Sequence, residues 1–86
     1  MIKLEKCPSV MTGGKPYFYT GETTIGRIWV VWDRIDNKWV VKDENYWDGK
    51  QYRCKIYIEF DDVKIAIKYV NDNFTPKLHY ICYSEA

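Results

Sequence analysis

Two turn signals within residues 27–60 agree on which side chains share a face, and this limits the fold more than any other feature of the chain. The stretch runs Arg27-Ile28-Trp29-Val30-Val31-Trp32-Asp33, then Lys38-Trp39-Val40-Val41-Lys42-Asp43, then Gln51 to Phe60. Asp36-Asn37 and Asp48-Gly49 tolerate positive φ, so each reads as a two-residue hairpin turn. The first turn sets Trp32 opposite Val41 and Arg34 opposite Trp39. The second sets Trp47 opposite Lys50, Glu44 opposite Arg53, Val41 opposite Ile56 and Trp39 opposite Ile58. Directly opposed residues share a face. One face then carries Ile28, Val30, Trp32, Trp39, Val41, Tyr52, Cys54, Ile56, Ile58 and Phe60. A slip of one residue in either turn would split that set. On this register Trp32 and Ile56 are central, and Ile56→Ala is expected to cost about 2–5 kcal/mol.

The flanks read more weakly. Ile2 and Leu4 alternate with charges as a short first strand, which Pro8 ends or confines to an edge. Gly13-Gly14 and Pro16 mark a loop, and Tyr17 to Thr20 reads as a strand closed by Gly21. Asp61 or Asp62 can cap a helix over about residues 62–74. Val63, Ala66, Ile67, Val70 and Phe74 form its apolar stripe. Ile65 lies off the stripe, which keeps a strand through 62–70 as an alternative. Leu78 to Tyr83 reads as a last strand. Residues 1–86 are expected to form a single small α+β domain. Its sheet is twisted and antiparallel: the three-stranded ribbon of 27–60 plus short flanking strands, packed against one helix. Four Trp, eight Tyr and three Phe supply the buried area that so short a chain needs.

Composition excludes more than it assigns. The net charge of +1 gives no whole-molecule attraction to nucleic acid or an anionic membrane. No apolar run approaches the ~18 residues of a bilayer span. The opening residues alternate apolar and charged, unlike a secretory signal. Three cysteines, Cys7, Cys54 and Cys82, make an odd set without a Cys-x-x-Cys pair, so a cytoplasmic protein with reduced thiols is expected. His79 is the one histidine. With Cys82 it makes the nearest approach to metal-ligand spacing, but Cys7 and Cys54 stand apart, so no metal site is expected. A Cys–His catalytic pair involving His79 has the plainer alternative of Cys54 as a small core residue. Gly13-Gly14-Lys15 leads into Pro16 and Tyr17 rather than a helix, unlike a P-loop. Asp43-Glu44 straddles two faces and Asp61-Asp62 is explained by capping, so neither pair aims two acids at one atom. No enzyme activity and no cofactor are expected.

The face turned away from the helix carries Arg27, Trp29, Val31, Lys38, Val40, Lys42, Arg53, Lys55, Tyr57 and Glu59. Its expected pairs are Lys42 with Lys55, Glu44 with Arg53 and Lys38 with Glu59. Residues 2–6, 17–20 and 78–83 could fold over it as a second layer. Left open, it is a protein-binding or homodimer face, since Trp, Tyr and Arg concentrate binding energy. Alternatively it binds nucleic acid, with Lys42, Arg53 and Lys55 on phosphates and Trp29 or Tyr57 stacking on bases. Three strands leading through Phe60-Asp61-Asp62 into a helix resemble, over residues 27–74, the layout of plant ethylene-response-factor domains and of the arm-binding domains of tyrosine integrases. That resemblance implies a sheet face laid on DNA. The chain departs from those domains in its low net charge and in lacking their Arg-rich reading strands.

The expected function is therefore non-enzymatic binding through Arg27, Trp29, Lys42, Arg53, Lys55 and Tyr57. The expected partner is a protein, on the pattern of a phage or mobile-element inhibitor that occludes a host defence complex. A nucleic-acid-binding module using the same face is the alternative.

Overall fold

A computed structural model describes residues 2–8 and 17–77. It is a small α+β fold. The strands are β1 (Glu5–Pro8), β2 (Tyr17–Thr23), β3 (Gly26–Asp33), β4 (Lys38–Asp43), β5 (Tyr46–Trp47), β6 (Tyr52–Arg53) and β7 (Tyr57–Phe60), and the helix is α1 (Val63–Asn73). Strands β1-β2-β3-β4-β7 form a five-stranded antiparallel sheet in that order, while β5 and β6 pair separately.

The apolar alternation settles the faces as expected, but both hairpin registers lie two residues from the two-residue-turn reading. Val30 pairs with Val41 and Trp32 with Trp39; Val41 pairs with Ile58 and Trp39 with Phe60. Each loop takes in four residues, because an aspartate organises it. Asp33 Oδ1 accepts the N–H groups of Ile35 (2.9 Å) and Asp36 (3.4 Å), and Asn37 closes the loop at φ 54°. Asp48 Oδ1 accepts those of Lys50 (2.8 Å) and Gln51 (2.9 Å), and Gly49 has φ 101°. Such side chains imitate a backbone turn. A shift of two residues leaves every side chain on its face, since the strand period is two.

The ribbon's third strand is not continuous. Asp43 Oδ1 accepts the N–H groups of Lys55 (3.0 Å) and Ile56 (3.1 Å), replacing the ladder there with side-chain bonds. The pairing on the two sides of this break, Lys42 with Tyr57 and Tyr46 with Arg53, keeps one register. Strands β5 and β6 therefore continue the β4–β7 hairpin outward as an arm.

The core lies between the sheet and α1. Ile28, Val30, Val41, Ala66 and Val70 are fully buried, with Ile2 and Trp39 nearly so. Trp32 and Ile56 are only partly buried at its margin, so the centre falls on the Val30–Val41 pair. Cys54 is half-exposed at the base of the arm and not in the core. The helix reading for 62–74 holds, and the strand alternative falls. Asp62 is the N-cap, its Oδ1 accepting Lys64 N–H at 2.9 Å, and Ile65 is 55% exposed. Tyr69 joins the stripe, its ring tilted against Phe60 and edge-on to Phe74, at 5.3 and 6.1 Å between ring centroids.

Strand β2 runs on through Gly21 rather than stopping there. A Cβ at Gly21 would lie 2.9 Å from the Lys3 carbonyl oxygen and 3.0 Å from Leu4 Cδ2, so glycine lets residues 2–4 cross close by. Strands β1 and β2 lengthen the sheet sideways, so residues 2–6 and 17–20 do not form a second layer over its outer face. The expected strand 78–83, His79, Cys82 and the Gly13-Gly14-Lys15-Pro16 loop lie outside the described residues. Among the described residues no helix is long and apolar enough to cross a membrane.

Candidate binding surface

Antiparallel pairing builds the outer face in rows. One row runs Thr20–Trp29–Lys42–Tyr57 across β2, β3, β4 and β7. Lys42 stands between two aromatic neighbours and, among the described residues, makes no ion pair. Trp29 is half-buried, with Phe18 against it at 5.8 Å. Tyr57 is exposed, and its O–H donates to Asp33 Oδ2 at 3.4 Å. Partial burial, then the Asp33 carboxylate, push the Tyr57 phenol above its ordinary pKa.

The expected basic residues divide into engaged and free. Arg27 Nη2 meets Glu22 at 2.7 Å and its Nη1 donates to Thr20 Oγ1 at 3.1 Å. Arg53 is ion-paired with Asp48 inside the arm's own turn. Lys55 lies over the Tyr46 ring, 5.8 Å from its centroid. Of the six predicted residues Arg27, Trp29, Lys42 and Tyr57 thus share one side of the five-stranded sheet, and among the described residues Lys42 and Lys55 make no ion pair. The two-residue shift also changes the pairs. Lys42 meets Tyr57 instead of Lys55, which removes the opposed like charges. Arg53 meets Tyr46 instead of Glu44, and Lys38 bonds Asp61 instead of Glu59. That hydrogen bond, with the carboxylate's charge behind it, raises the Lys38 pKa. Val40, expected to be open on this face, is buried at 1%.

The arm is the feature that sequence reasoning missed. Every residue from Glu44 to Arg53 is exposed. Tyr46, Trp47 and Tyr52 are 42, 57 and 71% exposed, and Trp47 and Tyr52 meet edge-on at 5.1 Å. Among the described elements, β5 and β6 touch only each other, whereas α1 packs on β3, β4 and β7. A helix of eleven residues spans about 16 Å, too short to reach under the arm as well. The signal in the sequence was this length, set against ribbon strands that run on past Asp43.

Asp33, Asp36 and Glu59 bring carboxylate oxygens within 4.8 Å of one another, but Asp33 is already occupied in its turn and with Tyr57. The Cys54 thiol donates to Asn45 Oδ1 at 2.7 Å, and Cys7 lies on β1. A shallow cleft of about 260 Å³ beside β1 and β2 mixes Lys3, Arg27 and Lys77 with Glu5 and Glu22. No protein-family model, curated protein or solved structure matches the chain.

Proposed function

We propose that this chain is a non-enzymatic binding protein that makes contact through the exposed aromatics of the arm, Tyr46, Trp47 and Tyr52, and through the Trp29–Lys42–Tyr57 row of the outer face. The exposed Trp47–Tyr52 pair on an arm that touches no other described element carries this reading. Large aromatics held in water by a two-stranded hairpin add nothing to the core, and such residues dominate protein contacts. The partner is a protein. Arg27 and Arg53 are engaged by carboxylates, and Asp33, Asp36 and Glu59 lie beside Tyr57, so the face offers little net positive charge to a phosphate backbone. Occupying a surface on a larger complex is the mode of action that such a chain supports, as an inhibitor from a phage or mobile element would act.

Nucleic acid is the second reading, favoured by Lys42 between Trp29 and Tyr57 and by Lys55 over Tyr46. Capture of binding proteins from host lysate separates the two. The protein reading expects specific capture that Trp47→Ala or Tyr52→Ala abolishes and moderate salt leaves intact. Oligonucleotide binding that moderate salt and Lys55→Glu remove, with capture unchanged in the arm variants, would overturn it.

A further inference from the structure

We infer that the arm is a hinged clasp: residues 46–53 swing as one folded body about a base at residues 44–45 and 54–55, and the Asp43 carboxylate is the latch that sets the angle. This does not depend on the binding function proposed above. The ladder stops at Lys42–Tyr57 and resumes at Tyr46–Arg53. In the gap, Asp43 Oδ1 accepts the Lys55 and Ile56 N–H groups, and Asn45 Oδ1 accepts the Cys54 thiol at 2.7 Å. Successive ladder bonds fix the direction of a strand, whereas a side-chain acceptor turns about its own χ angles. The pairs on both sides of the gap keep one register, so no residue is inserted as in a bulge. The base therefore bends without any change of pairing on either side.

The arm holds itself together on the far side of that base. Asp48 Oδ1 accepts the Lys50 and Gln51 N–H groups, Asp48 N–H donates to the Gln51 carbonyl at 3.1 Å, and Arg53 is ion-paired with Asp48. Trp47 meets Tyr52 edge-on. These contacts all lie within residues 46–53 and travel with the arm. Every residue from Glu44 to Arg53 is exposed, so a swing uncovers no buried surface, unlike any movement of Trp39 or Val41. The fixed register also sets the direction. Bending within the plane of the sheet would slide one strand past the other, so the arm moves out of that plane. Counting by twos from Trp39–Phe60 and Val41–Ile58 reaches Trp47–Tyr52, which puts that pair on the helix side. The C-terminal end of α1 lies at the same end of the sheet. Thr75, just beyond it, accepts the Thr24 N–H at 2.9 Å, close to the start of β3, where Ile28 pairs with Asp43. A swing to the helix side carries Trp47 and Tyr52 toward the end of α1 and closes the angle between them; the opposite swing opens it.

Residual dipolar couplings of the isotopically labelled full chain test this. The N–H and Cα–Hα couplings of residues 46–53 are expected to fit one alignment tensor of their own, about twofold weaker than the tensor of β3, β4 and β7. Nuclear Overhauser contacts between the Trp47 and Tyr52 rings should persist, as a body that swings without unfolding requires. Asp43→Ala should weaken the arm's tensor further and leave that of the sheet unchanged. Asp43→Asn, which keeps an acceptor oxygen on the same side chain, should stay close to wild type. A single tensor shared by arm and sheet in the wild-type chain would overturn the inference. So would arm couplings that fit no single tensor, since the arm would then unfold rather than swing, or an arm tensor indifferent to Asp43→Ala.

Discussion

The β4–β7 hairpin and its continuation, the β5–β6 arm, share one register and one alternation of side chains, yet they end in opposite environments. In the first, Trp39 and Val41 are buried against the helix. In the second, Tyr46, Trp47 and Tyr52 are left in water. Alternation tells which residues share a face; it does not tell whether anything lies beneath that face. The helix covers β3, β4 and β7 and stops. Asp43 marks the boundary, exchanging ladder bonds for side-chain bonds to Lys55 and Ile56. A body stabilised by burial thus carries an arm stabilised mainly by its turn and one aromatic pair.

The contrast is broken most directly from the body side. Ile28→Ala, at a fully buried site, is expected to cost about 2–5 kcal/mol in urea unfolding. Next comes Gly21→Val, which forces side-chain atoms onto the Lys3 carbonyl and should cost about 1–3 kcal/mol by the same measurement. Asp43→Ala should cost about 1 kcal/mol or more, because two backbone donors lose a charged acceptor. Its sharper readout is hydrogen exchange, which should rise at Lys55 and Ile56 and stay unchanged at Val30. In the arm, Trp47→Ala should move global stability by no more than about 0.5 kcal/mol. A loss as large as that of Ile28→Ala would mean that the arm packs on the body, and the comparison would fail.

The smallest effect is electrostatic and confined to the arm. Hydrogen bonds from the Gln51 and Lys50 backbone, with Arg53 behind them, hold the Asp48 carboxyl below its ordinary pKa. A depressed folded-state pKa contributes order above the unfolded value, and that order is lost as pH falls through the folded one. The Lys50 and Gln51 amide resonances should therefore titrate with a midpoint below the usual aspartate range, with Val30 and Val41 unmoved. A midpoint at the ordinary value would mean that the turn is not held by Asp48.

Much of the body was legible in the sequence. The inward set Ile28, Val30, Trp39 and Val41 followed from period-two alternation, and the helix with its Asp62 cap followed from an apolar stripe that begins after an acidic pair. Turn length was not legible. Asp36-Asn37 and Asp48-Gly49 suit two-residue turns by residue type, but Asp33 and Asp48 bond backbone groups further on and open both loops to four residues. The faces survived because the error was even. The pairs did not, so the expected contacts of Lys38, Lys42 and Arg53 were each replaced. The candidate surface was legible as a set of residue types, but its division into engaged and free charges was not. That division depends on carboxylates such as Glu22, distant from any motif, which reach Arg27 only once β2 lies beside β3.

The sequence by itself determined the fold class, the helix and the side of each strand, because these rest on local periodicity and capping. Tertiary structure decided what lies under each face. It set the Val30–Val41 centre in place of Trp32 and Ile56, ran β2 through Gly21 so that residues 2–4 could cross, and left the arm uncovered. Those outcomes depend on how far one short helix reaches across a sheet, and that distance is fixed only when the whole chain has packed.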